Sequence, residues 1–151
     1  MPFTLPDINE AIATAIPDRE AIVTSTRRLT WRELQLRTRQ LANVLIGAGL
    51  GCQRERDGLA AWESGQDHLA LYLYNGHEYL EGMVGAFRAR VAPFNVNYRY
   101  VDDELLHLLR DARTRAIIYH ASFAPRLARV LSQLPPLALL LQVDDGSDEA
   151  L

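Results

Sequence analysis

The 151-residue chain contains no lysine: all 16 of its basic residues are arginine. Arginine keeps its proton under physiological conditions, and its flat guanidinium is a poor replacement for a compact, mobile ammonium. A lysine nucleophile, a Schiff base and a phosphate-gripping lysine are therefore excluded within these residues. Cys52 is the only cysteine, so neither an internal disulfide nor a cysteine metal cluster can form. Nothing near it in sequence supplies the environment that activates a thiol. No apolar run approaches the length needed to span a bilayer. Met1 to Glu10 lack a basic stretch followed by an apolar one, so no signal peptide is expected. The net charge of −3 gives no broad basic field for nucleic acid or anionic lipid. What remains is 48% apolar and 23% charged residues, enough for one globular domain with a real core, expected in the cytoplasm.

Helix and strand periods alternate along the chain. Ile8, Ala11, Ile12 and Ala15 follow helical spacing up to Pro17. Glu20 to Ser25 reads as a short β-segment, with Arg27 and Arg28 at a turn. Thr30 and Glu33 form a capping box that opens a helix buried through Trp31, Leu34, Thr38, Leu41 and Leu45. Arg32, Arg37 and Arg39 fall mostly off that stripe, on the solvent side. Gly47 and Gly49 stop the helix. With Gly51 they imitate a phosphate-binding loop, but they end a helix instead of joining a strand to one. Residues 51–67 read as an irregular surface loop that Trp62 anchors on the core.

His68 to Tyr74 is apolar almost throughout, as a strand covered on both faces should be. Asn75 is placed to cap the next helix, whose stripe is Tyr79, Leu80, Met83, Val84 and Phe87, with Gly82 and Gly85 allowing close packing on a sheet. Val91 to Phe94, Arg115 to His120 and Leu137 to Val143 are further strands. Helices lie between them, at Glu104 to Arg110 and from Phe123 to Leu134, where Pro135 and Pro136 end the second. The alternation predicts an α/β fold with a largely parallel sheet and flanking helices.

Candidate chemistry is sparse. His68, His77, His107 and His120 have no metal-ligand spacing and read as structural or solvated. His77 has the most interesting position, at the start of a helix just beyond a parallel strand, where ligands often bind. The acidic run Asp144 to Glu149 has its glycine too early for a calcium loop and reads as a solvated turn. No nucleophile elbow or catalytic triad order is present. No catalytic, cofactor-binding or metal residue is assigned.

Several segments in order carry a resemblance. Leu29-Thr30-Trp31-Arg32-Glu33-Leu34, Leu41 to Leu45, Gly47-x-Gly49, Leu71 to Leu80, Pro93 to Tyr100 and Asp103-Glu104-Leu105 together resemble the N-terminal portion of adenylate-forming enzymes. Asn95-Val96-Asn97-Tyr98-Arg99-Tyr100 is most similar to actinobacterial fatty-acyl and steroid-side-chain CoA ligases. The sequence departs from the common pattern at Arg88-Ala89-Arg90, where many relatives have Lys-Ala-Gly, and in the long segment 51–67. The resemblance implies a partial N-terminal domain over 1–151, with the later catalytic parts absent. In the complete enzyme ATP, Mg and CoA would convert a fatty or steroid-side-chain carboxylate to its thioester. None of these is expected to be bound by the fragment. The implied partners are the missing remainder of the ligase, as one cut or separately encoded piece, or another copy through an exposed sheet edge. A non-catalytic interaction module is the alternative.

Overall fold

The computed structural model describes residues 3–151, so Met1 and Pro2, where the signal-peptide reading begins, lie outside the described residues. Thr4 and Asp7 form a reciprocal capping box that starts α1, Leu5–Ala15. This helix is turned away from its predicted stripe. Only Ala13 is buried, and Ile8 is 47% exposed. A charged anchor sets the rotation: Glu10 takes a 2.9 Å bond from Arg88, whose Nε donates to Thr38 Oγ1 at 3.2 Å. Glu10 also meets Arg39.

Next come β1, Glu20–Val23, and β2, Arg28–Thr30, paired antiparallel as a separate two-stranded sheet. Sequence reading found the first segment but took Arg28 as turn, because three residues are too few for an alternating pattern to register. The predicted capping box of Thr30 and Glu33 then opens α2, Trp31–Gly47, which buries Leu34, Thr38, Ala42 and Leu45. Gly47 is the last residue of this helix, and Gly49 takes φ 77° as the chain leaves it.

Residues 51–67 contain no helix or strand, only an isolated bridge between Cys52 and Gln66. The segment is nevertheless tied internally. Arg56 donates to the carbonyls of Ala60 and Glu63 at 3.2 and 3.0 Å. Asp67 accepts from Gly51 N at 3.0 Å and Gln53 Nε2 at 2.6 Å. Trp62 does not anchor the loop on the core; it is 88% exposed. Backbone hydrogen bonding to side chains does the anchoring, so the indole is left outside.

The second half winds the main sheet. Strands β3 (His68–Tyr72), β4 (Ala92–Asn95), β5 (Thr114–His120) and β6 (Leu139–Val143) lie parallel in the order β4-β3-β5-β6. Helices α3 (His77–Arg88), α4 (Asp102–Asp111) and α5 (Ala124–Leu131) join them. Alternation along β3 divides the interior. Leu69, Leu71 and Leu73 face a core closed by residues of α2 and α3, while Ala70 and Tyr72 face one closed by α4 and α5. The nearly continuous apolar run at β3 thus reflects burial on both faces, as parallel sheets require.

Two expectations for α3 change. Its cap is Gly76, without a side-chain bond from Asn75. Its buried residues are His77, Glu81, Gly82, Gly85 and Ala86, while Leu80 is 47% exposed. The glycines cause this. A Cβ on Gly82 would lie 2.8 Å from Leu71 Cδ2, and one on Gly85 would lie 2.7 Å from Leu41 Cδ2. The glycine side is the one pressed closest to the sheet and α2, and the larger residues sit at its margins.

Candidate functional site

In a parallel sheet the crevice beyond the C-terminal strand ends is the usual place for ligands. Here that edge holds a cleft of ≈ 400 Å³ between α2, α3 and β6, with His77, Glu78, Glu81, Arg27 and Arg37 among its walls. His77 begins α3 and is 8% exposed. Its Nε2 lies 3.3 Å from Arg27 Nη1 and 3.1 Å from Glu78 Oε1. One nitrogen cannot accept from the guanidinium and donate to the carboxylate at once. The ring therefore chooses between the hairpin arginine and its own helix neighbour according to where its proton sits.

Deeper in the cleft, Arg37 grips Glu81 through two bonds of 2.6 and 2.9 Å. Arg32 and Arg39 lie on the solvent side as expected, where they pair with Asp18 and Glu10, whereas Arg37 is drawn inward to the nearly buried Glu81. Glu81 is one helical turn from His77 on the glycine side of α3. A carboxylate among small residues facing the interior is the signal that could have pointed to a buried partner.

His120 ends β5 and is 6% exposed. Its Nδ1 accepts from the Tyr74 backbone N–H at 2.9 Å, so in the neutral ring the proton is on Nε2. Tyr74 packs on the His120 ring at 5.6 Å and on Phe123 at 4.6 Å. Burial pushes the imidazole below its usual 6.5. The linkage sign follows. Below 6.5 the unfolded chain takes up a proton that the folded ring resists, so this stability is complete above 6.5 and falls as pH drops through that value. We expect wild type to lose stability between pH 7 and pH 5, and His120→Asn, which retains an acceptor for Tyr74, to lose less. Urea titrations at both pH values check this; equal losses in the two proteins would refute the assignment.

The remaining candidates are not drawn into this edge. His107 is exposed on α4, and the ring of His68 meets the Ala112 carbonyl at the opposite end of the sheet. The acidic turn touches the edge once, where Asp145 accepts from Ser122 N at 3.2 Å. Among the described residues no cluster of three or more His, Cys, Asp or Glu could hold a metal ion. No helix there is long and apolar enough to cross a membrane.

Comparison with known proteins gives a family. The model of the AMP-binding enzyme family matches residues 10–151. The medium-chain acyl-CoA ligase Mig of Mycobacterium avium is 53% identical over 149 residues, covering 99% of this chain and 27% of that protein. A medium/long-chain-fatty-acid–CoA/3-oxocholest-4-en-26-oate–CoA ligase of Mycobacterium marinum is 32% identical over 147 residues, 97% of this chain and 24% of its own length. Among solved structures, a Rhodopseudomonas palustris protein assigned as a long-chain-fatty-acid CoA ligase superposes with a TM-score of 0.81 at 26% identity. That match covers 96% of this chain and 34% of the other. The chain spans about a quarter of the length of the curated relatives it matches. With a parallel α/β sheet and a family match along nearly its whole length, this chain belongs to the AMP-binding enzyme family.

Proposed function

We propose that the chain is the N-terminal scaffold of an ATP-dependent acyl-CoA ligase, inactive by itself, working with the remainder of the enzyme in the cytoplasm. The observation that carries the reading is the family match over residues 10–151 in a chain without a single lysine. The names of the mycobacterial relatives suggest a fatty or steroid-side-chain carboxylate as substrate. In the whole enzyme that carboxylate attacks ATP, giving acyl-adenylate and pyrophosphate. The thiol of CoA then displaces AMP to leave the thioester.

The residues of this chain do not fit a triphosphate. Among the described residues, the only glycine immediately ahead of a helix at the ligand edge is Gly76, and a Cβ there would lie 2.6 Å from Glu78 Oε2. A carboxylate thus lies at the N-terminus of α3, where a phosphate would need free N–H groups and a positive field. Arg37 is already held by Glu81. No step of adenylation is assigned to these side chains. Their part is to build the sheet edge and hold His77, Tyr74 and His120 against whatever completes the site.

Calorimetric titration of the folded chain with Mg-ATP, and separately with a non-hydrolysable acyl-adenylate analogue, tests the proposal. The expected result is no saturable heat from either ligand up to about 1 mM. Saturable adenylate binding by the chain alone would overturn it.

A further inference from the structure

Two helices end in the same strained way, and only one of the endings is compensated. Arg90 follows α3 with φ 58°, and Arg113 follows α4 with φ 48°. This left-handed corner suits glycine and disfavours residues that carry a Cβ. At Arg90 there is a visible counterpart. Glu55 holds its guanidinium through two bonds of 2.8 and 2.7 Å, and Gln66 Nε2 donates to its carbonyl at 2.9 Å. The two departures from the family pattern, Arg90 and the long loop, are therefore parts of one clamp.

Arg113 has no such partner. Among the described residues its side chain makes no hydrogen bond and no ion pair. Glu63 is near enough to feel its charge, but that carboxylate is engaged by Ala60 N at 2.9 Å and lies 3.5 Å from Arg54. The helix end does not require the cation either, because Arg110 in the last turn of α4 already donates to Gln133 O at 2.9 Å. Two residues on, and so on the same side of the chain, Arg115 is half exposed, and its one ion-pair contact is a long 3.6 Å to Asp67.

Arg113 and Arg115 stand between two clefts: a polar one that also holds Glu63 and Asp67, and one of ≈ 560 Å³ between the end of α4 and the segment that follows α5. The exposed surface of this second cleft is mainly apolar, with Leu134 and Pro135 in its walls beside the polar Ser132 and Gln133. It opens at the N-terminal end of β5, away from the His77 cleft, which meets β5 at Ile118. A pair of loosely held cations at the rim of an apolar trough suits an amphipathic anion. A carboxylate can take two parallel bonds from a guanidinium while its tail covers the trough.

We propose that this cleft binds a carboxylate bearing an alkyl tail, with Arg113 as the headgroup anchor, Arg115 beside it, and the tail along Leu134 and Pro135. This site is separate from the sheet-edge crevice and needs neither ATP nor the rest of a ligase. The test is a calorimetric titration of the 151-residue chain with decanoate, with acetate and inorganic phosphate as parallel probes, and of the Arg113→Gly variant. Glycine relieves the left-handed strain, so the variant should fold at least as stably as the parent, as thermal melting will report. Decanoate should bind saturably below its micellar range. Acetate and phosphate should bind about tenfold or more weakly than decanoate, and Arg113→Gly should weaken decanoate by about tenfold or more. Absence of saturation with decanoate would overturn the site, and unchanged affinity in Arg113→Gly would overturn the anchor. Phosphate or acetate binding as tightly as decanoate would replace the alkyl carboxylate with a simple anion.

Discussion

Arg37→Ala is expected to destabilise the chain by about 3 kcal/mol, which makes it the costliest loss of a polar contact at the sheet edge. The cause is the partner left behind. Glu81 has a side chain only 11% exposed, faces the small-residue side of α3, and accepts hydrogen bonds from Arg37 Nε and Nη2 at 2.6 and 2.9 Å. Without the guanidinium, its charge must be neutralised or reached by water, and either outcome is unfavourable. Arg37 itself is 37% exposed, which keeps the figure at the low end of the range for buried pairs. Replacing both partners, as Arg37→Met with Glu81→Leu, removes the stranded charge and should recover most of the loss. Urea unfolding of the single and double variants measures this. A single-variant loss below about 1 kcal/mol would mean that the pair behaves as an ordinary surface contact.

The second large effect concerns the contact between α2 and α3. Gly85→Ala should cost about 2 kcal/mol, although alanine is the better helix former by about 1 kcal/mol. The new methyl would meet Leu41 at Cδ2, Cγ and Cβ, at 2.7, 2.9 and 3.0 Å. Because the clash reaches Cβ, a change of rotamer cannot clear it and the helices must separate. Gly82→Ala is the control. Its closest contact, 2.8 Å, is with the tip of Leu71, which can yield, so its net effect should lie near zero. Combining Gly85→Ala with Leu41→Ala should cost less than the two changes added together. Strict additivity in thermal or urea unfolding would disprove the direct clash.

These two cases also indicate how much of the molecule could be read from its sequence. The main strands were legible within about two residues, because a segment buried on both faces announces itself as a continuous apolar run. The capping box of Thr30 and Glu33 was legible because it is local. The orientations of α1 and α3 were not. In α1 a salt bridge spanning 78 residues, from Arg88 to Glu10, sets which side faces inward. In α3 the close approach of α2 selects glycines over larger apolar residues. Hydrophobic spacing contains neither kind of information. The same limit applies at the site. His77 was marked by its place after a strand, whereas Arg27 and Glu81 come to it from other parts of the chain through tertiary contacts. The family resemblance rested on ordered segments and needed no such contacts, so it carried further than the side-chain reading.

The central position of β3 governs how the molecule can assemble. This strand pairs with β4 on one side and β5 on the other, and its alternate residues enter both cores. Neither core can close until β5 has docked, so until then the first half has only the small cluster of Ile22, Leu29 and Leu34 for an interior. From this topology we expect one late, cooperative folding event governed by a long loop closure, instead of stepwise growth from the N-terminus. On a ribosome the early helices would emerge well before β5 and remain without their sheet, and that interval is when the nascent chain depends most on protection from aggregation.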